Sequence, residues 1–272
     1  MNSAPRDRFL GLVGFPRSGT TVLTALLDAH DDVCMYYEPW NASPQQRPNP
    51  PATVGDFRAL MERRFGFSAA GAPLVGFKET VTYSESREFA VRTIDNVARE
   101  TPTSVVWIFR DPIHCFLSKL DGARKWWGRP DAGFSRAALE QYLRESGPHL
   151  AALQDLVGRH GGTIVSYEAL ASRPEETLRA LMHALDLPFC AAQLDYYKAG
   201  AHPERVMGDP DVRERPSPVS RAASERRAHE AGSHRDVIED VLSAPEFAGF
   251  QSECARLADL PGVASVARRR GP

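Results

Sequence analysis

The stretch Gly14-Phe15-Pro16-Arg17-Ser18-Gly19-Thr20-Thr21 sets two glycines four residues apart behind an apolar run, the spacing of a phosphate-cradling loop. A glycine-rich turn from strand into helix aims several backbone N–H groups and the positive end of the helix dipole at one point, so it holds an anion by geometry alone. In a nucleoside triphosphatase the residue after the second glycine is a lysine for the terminal phosphates, followed by a hydroxyl for Mg²⁺. Thr20 stands in the lysine's place here, so γ-phosphoryl transfer loses its main cationic clamp. Arg17 supplies a cation from inside the loop instead, and Ser18, Thr20 and Thr21 supply hydroxyls. Such a set suits an anion held without a metal.

Further residues belong to the same chemistry. Val105 to Phe109 reads as a buried strand ending in Arg110, with Ser118 eight residues on in the following helix. A guanidinium there makes bidentate bonds to phosphate oxygens, although Arg110 beside Asp111 also fits a structural ion pair. Glu38 follows the strand Val33 to Tyr37, and Pro39 cannot extend the ladder, so the chain turns at the carboxyl end of the sheet, where open α/β sheets bind ligands. A carboxylate buried among those aromatics would carry a raised pKa. Lys78 ends the next strand. Tyr167 ends another, either near a ligand or as a half-buried packing residue. Trp40, Trp126 and Trp127 either line an acceptor cleft, since aromatic faces stack on sugar rings and planar groups, or simply pack.

The elements that must position these residues alternate between short apolar runs and helical patterns, which predicts βαβ units. The candidate strands are Phe9 to Gly14, Val33 to Tyr37, Leu74 to Phe77, Val105 to Phe109 and Thr163 to Tyr167. Helices are predicted over Thr21 to Ala29, Glu85 to Glu100 and Pro174 to Leu185, the last with a capping box from Ser172 to Glu175. The expected fold is α/β, a three-layer sandwich around a mostly parallel sheet with a P-loop-like phosphate-binding loop. It forms a single domain over residues 1–272, with flexible loops at about 41–54 and 199–220 and a C-terminal tail at about 262–272.

Composition bounds the partners. The 272 residues are 42% hydrophobic and 25% charged, ordinary for a globular protein that buries a core. A net charge of −2 gives no global field toward nucleic acid or an anionic membrane, and Arg268-Arg269-Arg270 is expected to be a solvated terminus. No apolar run is long enough to span a bilayer, and four scattered cysteines argue for reduced thiols, so a cytoplasmic setting is expected.

The loop Pro16-Arg17-Ser18-Gly19-Thr20-Thr21 resembles that of the sulfotransferases that use 3′-phosphoadenylyl sulfate (PAPS), and its arginine form is similar to tyrosylprotein and carbohydrate sulfotransferases. The resemblance implies that Arg17, Ser18, Gly19, Thr20 and Thr21 bind the 5′-phosphosulfate and that Arg110 and Ser118 bind the 3′-phosphate. Tyr167-Glu168-Ala169-Leu170 resembles a family segment whose tyrosine lies near the nucleotide. Arg215-Pro216 is similar in place to a Lys-Pro that closes over it, with Arg213 or Arg221 as alternatives. Glu38, 21 residues after Arg17, matches the glutamate base of those relatives, and Lys78 matches a lysine that helps neutralise the transferring group. Cytosolic relatives use a histidine base, but neither His30, expected at the surface or as a cap, nor His114 lies in that context. The implied activity is sulfuryl transfer from PAPS to a hydroxyl of a small molecule, glycoside or lipid, without a metal. The alternatives are a P-loop kinase and a non-catalytic nucleotide-binding protein of the same fold.

Overall fold

The computed structural model describes residues 7–40, 49–69, 71–80, 84–199 and 218–269. Six strands form one sheet: β1 (Arg8–Gly14), β2 (Val33–Tyr37), β3 (Leu74–Thr80), β4 (Thr103–Phe109), β5 (Thr163–Ser166) and β6 (Val263–Ser265). Their order is β2-β3-β1-β4-β5-β6, with all pairs parallel except the antiparallel β5–β6 edge. Both faces are covered, which is why the strands read as continuous apolar runs rather than alternating ones.

Alternate residues of β1 divide the core. Phe9 and Val13 join a cluster with Phe57 of α2 (Val54–Phe65), Ile94 of α3 (Ser84–Val97) and Leu153 of α5 (Arg136–His160). Leu10 and Leu12 face the other way, onto Leu23 and Leu26 of α1 (Thr20–Asp28), Leu170 of α6 (Tyr167–Ser172), and Leu178 and Leu181 of α7 (Pro174–Ala184). The sheet is thus the middle of three layers, as expected. Helix α4 (Pro112–Lys125) follows β4, capped by the Asp111 carboxylate on the N–H groups of Ile113 and His114.

Several details differ from the sequence reading, each for a local reason. Residue 173 alone separates α6 from α7, so the Ser172 hydroxyl is claimed by the helix before it. It donates to the Glu168 carbonyl at 2.8 Å, Arg173 becomes the cap of α7, and Glu175 pairs with Arg179 instead. Ser166 accepts from the Ala169 N–H, which ends β5 one residue early and makes Tyr167 the first residue of a helix. Thr53 makes a capping box with Asp56 that starts α2, a helix not predicted, at the end of the expected loop. The expected tail instead adds β6 to the sheet edge, and its arginines dock on α5: Arg269 N–H donates to the Gly158 carbonyl and Arg268 Nε to the Arg159 carbonyl. Residues 41–48 and 200–217, which hold most of the two expected loops, lie outside the described residues.

Candidate active site

Strand β1 occupies the topological switch point. From it the chain runs first to β2 and β3 on one side and then to β4 and β5 on the other, so the loop after Gly14 is flanked by the carboxyl ends of both halves. Gly14 pairs with Thr80 of β3 and with Ile108 of β4. The ends of β3 and β4 therefore lie about 10 Å apart across the loop.

The loop enters α1 through two left-handed residues, Arg17 (φ 70°) and Gly19 (φ 97°). Glycine is required at position 19 on two counts. The positive φ disfavours a side chain, and a Cβ would lie 2.4 Å from the Tyr167 ring. Ser18 is fully buried, and its hydroxyl has no hydrogen-bond partner among the described residues. Thr20 and Thr21 are buried beside it in the first turn of α1.

On the β4 side the structure brings Arg17, Arg110, Ser118 and Tyr167 together. Arg110 is 4% exposed. Its Nη1 donates to the Arg17 carbonyl at 3.0 Å, and its guanidinium lies 4.2 Å from the centre of the Tyr167 ring. Its Nε and Nη2 are buried with no hydrogen-bond partner among the described residues. No ion pair with Asp111 forms, because that carboxylate is spent on capping α4. Arg17 Nε donates to Ser118 Oγ at 3.2 Å, and the Arg17 guanidinium lies over the Trp126 ring at 5.0 Å. Buried cationic donors left unsatisfied by the protein are costly unless an anion completes them.

On the β3 side stand Glu38, Lys78 and Thr80. Lys78 is fully buried and its ammonium is paired with Glu38 Oε1. The Thr80 hydroxyl lies 3.5 Å from the same oxygen. Glu38 takes a left-handed conformation, φ 48°, and its N–H continues the ladder to the Lys78 carbonyl at 2.7 Å. The carboxylate expected at the end of β2 is therefore present, buried and held beside a cation.

Sequence reasoning missed Glu79, which lies between Lys78 and Thr80 and is 1% exposed. Its carboxyl is pushed up to about 8, first by burial and then by the charge of Glu38, against the pull of Lys78 and the N–H groups of Trp40 and Thr80. The folded carboxyl keeps its proton where an ordinary one, near 4.5, has lost it. Its contribution to stability is therefore complete below about pH 4.5 and lost as pH rises through about 8. Glu79→Gln cannot ionise. In thermal melts from pH 5 to 8 it is expected to gain stability on the parent by on the order of 3 kcal/mol. A parent-to-variant difference that stays flat over that window would contradict this.

The remaining candidates scatter. Trp40 is fully buried and packs edge-on against Phe77, so it belongs to the core. Trp126 lies under Arg17, and Trp127 is 52% exposed on the rim. His30 is buried rather than superficial. Its Nδ1 accepts the Asp32 N–H and its Nε2 meets the Pro188 carbonyl at 3.0 Å, a cap that spends both ring nitrogens. His114 Nδ1 stands 3.9 Å from Glu168. Arg213 and Arg215 lie outside the described residues. A polar cavity of about 470 Å³ opens at the opposite end of the strands, lined by Arg8, Thr103, His160 and Arg268, and takes no part in this cluster.

Known proteins resemble this chain. In structure, the chain is similar to the sulfotransferase domain of a Synechococcus olefin synthase (15% identity, 96% of this chain and 98% of that one, TM-score 0.56). It is also similar to a mouse sulfotransferase complexed with PAP (14% identity, 95% and 90%, TM-score 0.55) and to the sulfotransferase domain of the curacin biosynthetic pathway (15% identity, 84% and 99%, TM-score 0.52). At such identities the likeness shows the shared fold. No curated protein sequence matches significantly. The family model described as "Sulfotransferase family" matches residues 10–191, a span from β1 through α7 that contains both flanks of the loop, and the chain belongs to that family.

Proposed function

We propose that the chain transfers a sulfuryl group from PAPS to an acceptor hydroxyl, with Glu38 as general base. The observation that carries this reading is that, among the described residues, two guanidinium nitrogens of buried Arg110 and the hydroxyl of buried Ser18 in the phosphate-type loop have no hydrogen-bond partner. Two anion-binding points on one nucleotide suit a 3′,5′-bisphosphate, and the fully hydroxylated loop suits a 5′ group that needs no lysine clamp. Loop N–H groups with Ser18, Thr20 and Thr21 would hold the 5′-phosphosulfate. Arg110 and Ser118 would hold the 3′-phosphate, and Tyr167, stacked on Arg110, would border the nucleotide.

PAPS supplies the sulfuryl group and leaves as the bisphosphate. The acceptor oxygen forms its bond to sulfur as the S–O bond to the nucleotide breaks, and Glu38 takes the acceptor's proton. The Lys78 ammonium carries three donors, one directed at Glu38, so the same group can orient the base and offer charge to the transferring oxygens. Arg17, inside the loop, is proposed to meet charge on the bridging oxygen, and Arg215 to close over the nucleotide. A small-molecule, glycoside or lipid acceptor in the cytoplasm completes the reading. Its support is that all four cysteines are free thiols, as a reducing compartment allows, and that no helix among the described residues is long and apolar enough to cross a membrane.

A kinase reading would need ATP and Mg²⁺, and competitive binding separates the two. In EDTA, adenosine 3′,5′-bisphosphate is expected to bind at least about tenfold more tightly than ATP, since only the bisphosphate engages Arg110 through a 3′-phosphate. Tighter binding of ATP that depends on Mg²⁺ would favour the kinase.

A further inference from the structure

Glu79 and Lys78 are neighbours on β3 and point to opposite faces of the sheet, as strand geometry requires. Lys78 and Thr80 face Glu38. Glu79 shares its face with Phe77 and the aromatic cluster around Trp40, and its Oε2 accepts the Trp40 N–H at 3.2 Å. Residues 38 and 40 are thus gripped from the two sides of one strand end, with Pro39 between them. The grip works against the backbone, because Glu38 carries its side chain in the left-handed region that L residues disfavour. Such a conformation persists only where its surroundings over-determine it. Contacts among the described residues that do so include the Glu38 N–H on the Lys78 carbonyl, the Lys78–Glu38 ion pair, and the Trp40 N–H on Glu79.

A carboxyl is a costly choice at this position. Glu79 is buried against Trp40 and its rings, where leucine would pack without any desolvation cost but would leave the Trp40 N–H without this bond. We propose that Glu79 is a positioning residue for the transfer: from the far face of β3 it holds Trp40 and thereby fixes the turn that presents Glu38 to Lys78 and Thr80. This rests on Glu38 being the base. Glu79 itself touches neither nucleotide nor acceptor.

The test compares three variants of the full chain. Glu79→Gln keeps an oxygen at the right distance, Glu79→Asp keeps the carboxyl but withdraws it by a methylene, and Glu79→Leu removes the acceptor altogether. Turnover is read as label passed from radiolabelled PAPS to a panel of naphthol, octyl glucoside and dodecanol, per molecule able to bind adenosine 3′,5′-bisphosphate. Hydrogen exchange at the Glu38 and Trp40 amides is read alongside that of Leu23, whose N–H bonds the Gly19 carbonyl in α1. Glu79→Gln is expected to stay within about threefold of the parent in both readouts, because the hydrogen bond is preserved. Glu79→Asp is expected to lose about 30-fold in turnover at unchanged bisphosphate affinity, with faster exchange at Glu38 and Trp40 alone, as a misplaced base would give. Glu79→Leu should match it, and Glu79→Asp carries the comparison if the leucine variant does not fold. Parent-like behaviour in Glu79→Asp would overturn the proposal. So would a loss in Glu79→Gln, which would make the ionisable proton the point, or exchange that rises at Leu23 as well, which would make the role merely structural. Failure of the base reading shows separately, as full turnover in Glu38→Gln, and leaves the exchange result standing.

Discussion

Glu38→Gln is expected to bind adenosine 3′,5′-bisphosphate as the parent does and to lose sulfuryl transfer by about 10²- to 10⁴-fold, the range that general-base catalysis contributes. The substitution changes little in shape, and the amide oxygen can still accept from Lys78 and Thr80. What it removes is the capacity to take a proton. It also strips fully buried Lys78 of its counter-charge, which costs stability. Glu79 softens that cost: with Glu38 neutral, the repulsion that helps keep the Glu79 proton in place is gone, and its attraction to Lys78 remains. The variant is therefore expected to fold, and bisphosphate titration counts the molecules that do. Turnover is expressed against that count.

The second large effect belongs to Arg110. Arg110→Ala is expected to weaken bisphosphate binding by about 10²- to 10³-fold, the cost of losing a charge-assisted, desolvated phosphate contact. It is expected at the same time to leave the melting temperature of the nucleotide-free chain unchanged or raised. A structural arginine would behave in the opposite way, since removing it would break satisfied bonds and lower stability. Here Nε and Nη2 are buried without partners among the described residues, and only Nη1 is spent, on the Arg17 carbonyl. A buried cation with two donors unsatisfied among the described residues is a standing cost that truncation relieves. Melts with and without bisphosphate give both halves of the prediction, and a lower melting temperature with binding intact would return Arg110 to a purely structural role.

The placement of the candidate site was legible where chemistry is written in consecutive residues. The loop from Gly14 to Thr21, the strand running into Arg110 and the Glu38-Pro39 turn each combine an apolar strand with a residue that cannot continue it, and the structure places all three at the carboxyl ends of neighbouring strands. The clustering of Arg110 with Tyr167 follows from the same pattern, since β4 and β5 pair in parallel and end together. Glu79 was hidden because its meaning depends on which face of β3 it takes and on what lies beyond that face. A buried carboxyl inside Lys-Glu-Thr looks, in sequence, like any polar strand end. His30, expected at the surface or as a cap, is the cap, and its burial was hidden for a related reason: its two ring nitrogens are spent on Asp32 and on Pro188, the latter 158 residues away.

The fold shows the same division between local and distant causes. Strands β1 to β5 could be read from their apolar runs, whereas β6 is three residues of modest hydrophobicity whose place depends on the open edge of β5. Arg268 and Arg269 are exposed, as a solvated terminus would be, but the segment that carries them is tied down. Their partners are carbonyls at the end of α5, more than 100 residues earlier. The capping error at Ser172 came from a correct local pattern overruled by a second helix ending on the same residue.

Transfer of label from radiolabelled PAPS to the naphthol, octyl glucoside and dodecanol panel in EDTA, run side by side for the parent and Glu38→Gln, bears most directly on a metal-free sulfuryl transfer with Glu38 as base. The predicted result is labelled acceptor from the parent and a loss of at least about 100-fold in the variant, with bisphosphate binding equal in both. Equal transfer by the two chains, or transfer by the parent only when Mg²⁺ is restored, would contradict it.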